Sequence, residues 1–191
     1  MVCKLFQVLG TPVYDSDSRA KWVMINNIVL RDELRAAFGP DTFDTLGQLN
    51  RTYLAKVAFS DPQQVARLNA LVHPRVGADF EQWTIERQAE GHRYILKEAA
   101  LLYESGAYRQ LDRIITVFAP LALRQTRIQR RDPHRTTDDI QNIIGKQMSE
   151  EEKIQRADYV VYNDNEHLLI PQALKLHAEF DALAQQSVSN G

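Results

Sequence analysis

The chain has 191 residues, enough for one domain, or a domain with an inserted lobe, to bury a sizeable core without disulfides or metal. Hydrophobic residues at 44% and charged residues at 25% are ordinary for a globular protein, which excludes global disorder, collagen and coiled coil. With 23 basic against 25 acidic residues the formal charge is −2, so the overall charge gives no reason to expect nucleic acid as a partner, whereas a small anion stays open to a local basic cluster.

Val2, Leu5, Phe6 and Leu9 recur at helical spacing and are followed by Gly10, so the chain opens inside a helix that carries no capping residue before Val2. Thr11 to Tyr14 reads as an extended segment ending at Asp15-Ser16-Asp17, where a second helix can start. From Ser18 to about Gly91 the pattern is helical, with turns expected at Phe38-Gly39-Pro40, at Gly47, at Ser60-Asp61-Pro62 and around His73-Pro74. Residues 93–97 and 113–119 are apolar runs that read as buried strands, and the segment EAALLYESG after the first leans towards helix. A basic helix follows Pro120, Thr137 and Asp138 open another, Ser149 to Glu152 spells a capping box, and Asp158 to Tyr162 is again strand-like. The last helix, entered near Pro171, is expected to bury Leu176, Phe180 and Leu183.

Strands alternating with helices predict an α/β fold built on a parallel sheet, in which ligands bind at the carboxyl ends of the strands. That rule selects Asp15, Asp17, Glu98 and Asn163. A carboxylate at such an edge can accept a proton or hold a metal ion, and the same position also suits a helix cap, so both readings of Asp15 and Asp17 stay open. Arg124, Arg127 and Arg131 fall on one helix face and can clamp phosphate; the alternative is a solvated face. The five histidines and Cys3 show no metal-ligand spacing, so no direct metal site is expected. No apolar run reaches the ~20 residues of a membrane span, and the first residues do not have the pattern of a secretion signal. A cytoplasmic protein without membrane contact is expected; the sequence does not specify an oligomeric state.

Six phrases occur in one order from Val2 to about Asn165: LGTPVYDSDSRAK, FGPDTFDTLGQLNRTYLAKVAFSDP, LNALVHPRV, KEAALLYESG, RQTRIQRRD and KQMSEEEKIQRADYVVYND. Together they resemble the dephospho-CoA kinase family, P-loop kinases that transfer the γ-phosphate of ATP, with Mg²⁺, to the 3′-hydroxyl of dephospho-CoA in the last step of coenzyme A biosynthesis. The resemblance implies a P-loop NTPase-like three-layer parallel sheet flanked by helices. It further implies a core over 2–17, 92–119 and 158–188, a helical acceptor lobe over 18–91 and an Arg-rich helical lid over 120–157. It makes Asp17 the general base or hydroxyl-positioning group, Arg127 and Arg131 the lid cations closing on ATP, Lys21 and His73 acceptor contacts, and Asn163 an adenine contact. Glu98 stands where the family usually has Asp, which implies a place near the Mg²⁺ shell, and Ala100 stands where it usually has Pro.

The sequence departs from the family at its amino end. Family members begin with a strand and the loop GxxxxGK followed by Ser or Thr, and this sequence has neither, a difference of about 15 residues. Those loop groups cradle phosphate, so little or no turnover is expected of the 191-residue chain, with a start codon placed too late as the expected cause. Two other functions are weighed: a non-catalytic homologue that still holds CoA-like ligands, and another small P-loop kinase acting on nucleoside monophosphates.

Overall fold

The structure is a computed structural model describing residues 1–58 and 61–189, with side chains through Gln186. In chain order the elements are α1 (Val2–Val8), β1 (Val13–Asp15), α2 (Ser16–Asn26), α3 (Ile28–Phe38), a 3-10 turn (Pro40–Thr42), α4 (Arg51–Ala58) and α5 (Pro62–Ala89). They continue with β2 (Leu96–Glu98), a second 3-10 turn (Ala107–Gln110), β3 (Ile115–Phe118), α6 (Leu121–Arg131), α7 (Thr137–Gly145), α8 (Glu150–Arg156), β4 (Tyr159–Tyr162) and α9 (Leu169–Ser189). Among the described residues β1 pairs with β2, and β3 pairs with β4 in parallel register from Ile115 opposite Tyr159 to Phe118 opposite Tyr162. The chain divides into two compact units, Tyr14–Lys97 and the remainder, with the boundary running through β1 and β2. The lobe expected over 18–91 lies within the first of these.

In the Tyr14–Lys97 unit, the buried positions of α3 are Leu30, Leu34 and Phe38, one residue per turn on a single face. They join Val23, Phe43, Leu54, Ala58 and Val72 in one apolar cluster. Asn27 starts α3 by accepting the Leu30 N–H at 2.9 Å. Gly39 ends it at φ +102°, where a side chain would meet the Tyr53 hydroxyl, itself donating to the Phe38 carbonyl at 2.8 Å. Asp61 caps α5 through the Gln63 N–H at 2.9 Å, and Ser60 of the expected turn lies outside the described residues.

The turn expected at His73-Pro74 is not there: α5 runs unbroken through Pro74. A proline inside a helix removes the N–H that would bond the carbonyl four residues back and costs about 3 kcal/mol, so something must outweigh it. Val72 is buried on the apolar cluster, with Leu68, Leu71 and Val76 packed against it on either side of the proline. The Arg75 guanidinium donates to the Leu71 carbonyl at 2.9 Å and pairs with Glu33 at 2.7 Å, stitching the weakened turn to α3.

In the other unit, β4 buries Val161, and α9 covers the sheet and α1 with Ala173, Leu176 and Phe180. Phe180 stacks on Phe6 at 6.3 Å and meets Tyr159 edge-on at 5.2 Å. Leu183, expected in the same stripe, is 36% exposed. Among the described side chains the buried stripe of α9 ends at Phe180. EAALLYESG forms turns and not a helix, with Gly106 in the left-handed region at its end. Ser149 caps α8 as expected through the Glu152 N–H at 3.2 Å. The full reciprocal capping box falls one helix earlier, where Thr136 and Asp139 each accept the other's backbone N–H, at 3.1 and 2.9 Å. Among the described residues no helix is long and apolar enough to cross a membrane.

Candidate active site

At the junction of β1 and α2 the two aspartates have different surroundings. Asp15 is the cap: its carboxylate accepts the Ser18 N–H at 3.1 Å and the Ser18 hydroxyl at 2.6 Å. The Ser18 hydrogen bonds, outweighing partial burial and assisted by Lys21, hold the Asp15 carboxyl below its ordinary range. Asp17 sits in the first turn of α2, exposed, and its carboxylate has no hydrogen bond or ion pair among the described residues. Lys21, one turn further along the same face, is likewise exposed. His73, on α5, is exposed without a described hydrogen-bonding partner.

Helix α2 is fixed to α5 by a three-residue network. Arg19 donates to Asp79 through Nε at 2.8 Å and makes a second, close contact through Nη2, while the buried Tyr14 hydroxyl donates to the same carboxylate at 2.7 Å. Burial works against ionisation of Asp79, but the Arg19 and Tyr14 hydrogen bonds outweigh it and hold its pKa down. Burial, then Asp79, pushes the Tyr14 hydroxyl up. Tyr14 meets Phe80 at 4.9 Å and Trp83 at 5.4 Å, and Lys97 lies 3.8 Å over the Phe80 ring with its pKa lowered by burial. The start of α2, which carries Asp15 and Asp17, is thereby tied to α5.

In the other unit Glu98 ends β2 and is exposed. The Cys3 thiol is hydrogen-bonded to it and is pushed up to about 12, first by burial and then by the Glu98 charge. Among the described residues no three His, Cys, Asp or Glu side chains gather as a metal cage. A single exposed carboxylate is the donor set that suits Mg²⁺ carried in on phosphate oxygens and water.

Arg124, Arg127 and Arg131 do share a face of α6, yet each has a different partner. Arg124 pairs with Glu150 at 2.9 Å, and Lys153 shares the same oxygen. Arg131 pairs with its neighbour Asp132 at 2.9 Å, with its side chain 73% exposed. Arg127 donates Nη1 to the Asn163 carbonyl and Nη2 to the Asn165 Oδ1, both at 2.8 Å. Its partners are neutral, so Arg127 alone of the three keeps its charge unopposed within hydrogen-bond reach. Asn163 extends the sheet by donating its N–H to the Phe118 carbonyl at 2.8 Å. The structure thus brings Arg127 and Asn163 together and sets Asp17 and Lys21 on one helix face. Asp17, Lys21 and His73 belong to one unit, and Glu98, Arg127, Arg131 and Asn163 to the other.

Sequence reasoning missed Asn165, whose φ of +75° is left-handed, and the Arg19–Asp79 clamp. The run of Asn and Asp in YNDNEH was the available signal for the first, since those residues tolerate this conformation. Nothing local announces the second, because its partners are 60 residues apart.

Comparison with known proteins bears on most of the chain. A family model described as dephospho-CoA kinase matches residues 1–168. A dephospho-CoA kinase of Bacteroides fragilis is 40% identical over 178 residues, covering 93% of this chain and 85% of that protein. One from Deinococcus radiodurans is 41% identical over 162 residues, covering 85% and 76%. Among solved structures, "Crystal structure of TT1252 from Thermus thermophilus" matches with a TM-score of 0.77 at 31% identity, over 93% of this chain and 88% of that one. The dephospho-CoA kinase from Campylobacter jejuni matches in fold with a TM-score of 0.68 at 22% identity, over 93% and 89%. The family model over residues 1–168, these relatives and a parallel-stranded α/β fold agree: the chain belongs to the dephospho-CoA kinase family.

Proposed function

We propose that Asp17 receives the 3′-hydroxyl of dephospho-CoA in the phosphoryl transfer that completes coenzyme A, with ATP as donor. The observation that carries this reading is the split between Asp15, consumed as a cap, and Asp17, exposed and without a partner among the described residues on the same helix start. A carboxylate there can accept the hydroxyl hydrogen bond and then the proton as the 3′-oxygen bonds to the γ-phosphorus. The bond from phosphorus to the bridging oxygen breaks and ADP leaves with the electron pair. Lys21 and His73 are the acceptor-side cation and polar contact, both exposed in the same unit as Asp17.

Arg127 and Arg131 offset charge on the donor phosphates. Arg127 has unopposed charge, and Arg131 is released easily because an exposed ion pair is worth only about 0–1 kcal/mol. Asn163 is the adenine-side contact, supported by its place beside Arg127. Glu98 is the residue that would hold Mg²⁺, through a carboxylate oxygen or an intervening water. The ion, when bound, neutralises phosphate oxygens and orients them for in-line transfer. The proposed setting of the reaction is the cytoplasm. These roles are tested by offering ATP with dephospho-CoA or with each nucleoside monophosphate, both to the 191-residue chain and to the chain extended through the codons preceding Met1. The expected product is coenzyme A, formed by phosphorylation of dephospho-CoA at its 3′-hydroxyl; preferential phosphorylation of a nucleoside monophosphate would overturn the assignment.

A further inference from the structure

We infer that Asn165 is a positioning residue for ATP binding: its side-chain amide holds the Arg127 guanidinium ordered while leaving its charge intact. The inference rests on the reading of Arg127 as a donor-side cation. The loop after β4 is built for this contact. Asp164 accepts the Glu166 and His167 N–H groups, both at 3.0 Å, and its other oxygen contacts the His167 ring at 2.8 Å. That turn leaves Asn165 at φ +75°, a conformation that glycine, asparagine and aspartate adopt readily and other residues do not. Of those three, glycine offers no acceptor, and aspartate would offset the cation. Only asparagine supplies a neutral oxygen at this spot.

The Asn165 Oδ1 and the Asn163 carbonyl together fix the guanidinium plane through two of its five N–H groups, leaving three without a partner among the described residues. A long side chain that is already ordered loses less freedom when a ligand arrives. Arg124 and Arg131, on the same helix face, show the alternative, each tied to a carboxylate.

The test compares Asn165→Gly, Asn165→Asp and Arg127→Ala by steady-state phosphotransfer in whichever of the two forms assayed above turns over, with the Arg127 Nε–H resonance followed by NMR and each melting temperature recorded. Both Asn165 variants keep the left-handed turn, so melting is expected to stay at the parent value. Asn165→Gly is expected to mobilise the Arg127 resonance and raise KM for ATP roughly 10-fold, with KM for dephospho-CoA unchanged. Asn165→Asp is expected to keep the resonance ordered and still raise KM for ATP, because the cation is now offset. If Arg127→Ala raises KM for ATP and Asn165→Gly does not, Asn165 has no positioning role, while the reading of Arg127 stands. If Arg127→Ala leaves KM for ATP at the parent value, that reading fails and the inference with it. Equal rises in both KM values for Asn165→Gly would mark general loop damage and also overturn it.

Discussion

Asp15 takes both the N–H and the hydroxyl of Ser18, and in doing so leaves Asp17, two residues on, without a hydrogen-bonding partner among the described residues. One carboxylate holds the helix and the other is available to a ligand, although the sequence presents them as near equivalents.

The split predicts opposite phenotypes. Asp15→Ala removes a helix cap and is expected to lower stability by about 1 kcal/mol in urea denaturation, whereas Asp17→Ala should leave stability within about 0.5 kcal/mol of the parent. Equal destabilisation by the two would show that the capping role is shared.

The Arg19–Asp79–Tyr14 clamp is expected to matter more than a surface pair, because the Asp79 side chain is only 14% exposed and Tyr14 is buried. Asp79→Ala leaves the Arg19 guanidinium without its acceptor and the Tyr14 hydroxyl with only the longer contact to the Val76 carbonyl at 3.3 Å, at a cost of about 1–3 kcal/mol. Tyr14→Phe removes only one neutral donor and is expected to cost about 1 kcal/mol. Chemical denaturation of the two variants checks the order; a larger effect of Tyr14→Phe would contradict it.

Acid should loosen two places. Asp79 and Asp164 both titrate below their ordinary values, Asp164 at about 2, held down first by the His167 N–H, against partial burial. A carboxylate whose folded pKa is depressed contributes stability that is fully present above its unfolded value, about 3.9, and disappears as pH falls through the folded one. Carboxyl-carbon NMR is therefore expected to find Asp164 still ionised at pH 3, with the turn that places Asn165 released only near pH 2. A midpoint for Asp164 near 4 would refute the hydrogen-bonding account of this loop.

Cys3 is expected to be inert. With its pKa pushed up to about 12, its thiolate fraction near pH 8.5 lies on the order of 10³ below that of a free thiol, so iodoacetamide should label native protein correspondingly slowly and unfolded protein normally. Replacing Glu98 by Gln removes the charge beside the thiol and should speed labelling; an unchanged rate would mean that burial alone protects it.

Local chemistry made much of the fold legible. The Val2 to Leu9 periodicity, the Asp61 and Ser149 caps, and the β-branched runs leading into β3 and β4 all express preferences set within a few residues. Pro74 misled because its local cost is outweighed by packing that involves α3 and residues far away in sequence. Leu183 misled because periodicity fixes a face of α9 but not how far along that face burial extends. At the site, the six phrases identified the residue types, yet the partition between Asp15 and Asp17 depends on which one Ser18 reaches, and the partner of each α6 arginine depends on α8 and the loop after β4. Those are spatial facts that composition and spacing leave open.

The most direct test is the rate of ATP-dependent phosphorylation of dephospho-CoA by Asp17→Asn beside Asp15→Asn, each made in the form of the chain that turns over and set against that parent. If Asp17 takes the hydroxyl proton, Asp17→Asn should lower kcat by about 10²- to 10⁴-fold with KM for dephospho-CoA little changed, while Asp15→Asn, which keeps an acceptor for the cap, should stay within about tenfold of the parent. Parental kcat in Asp17→Asn, or a collapse confined to Asp15→Asn, would contradict the account.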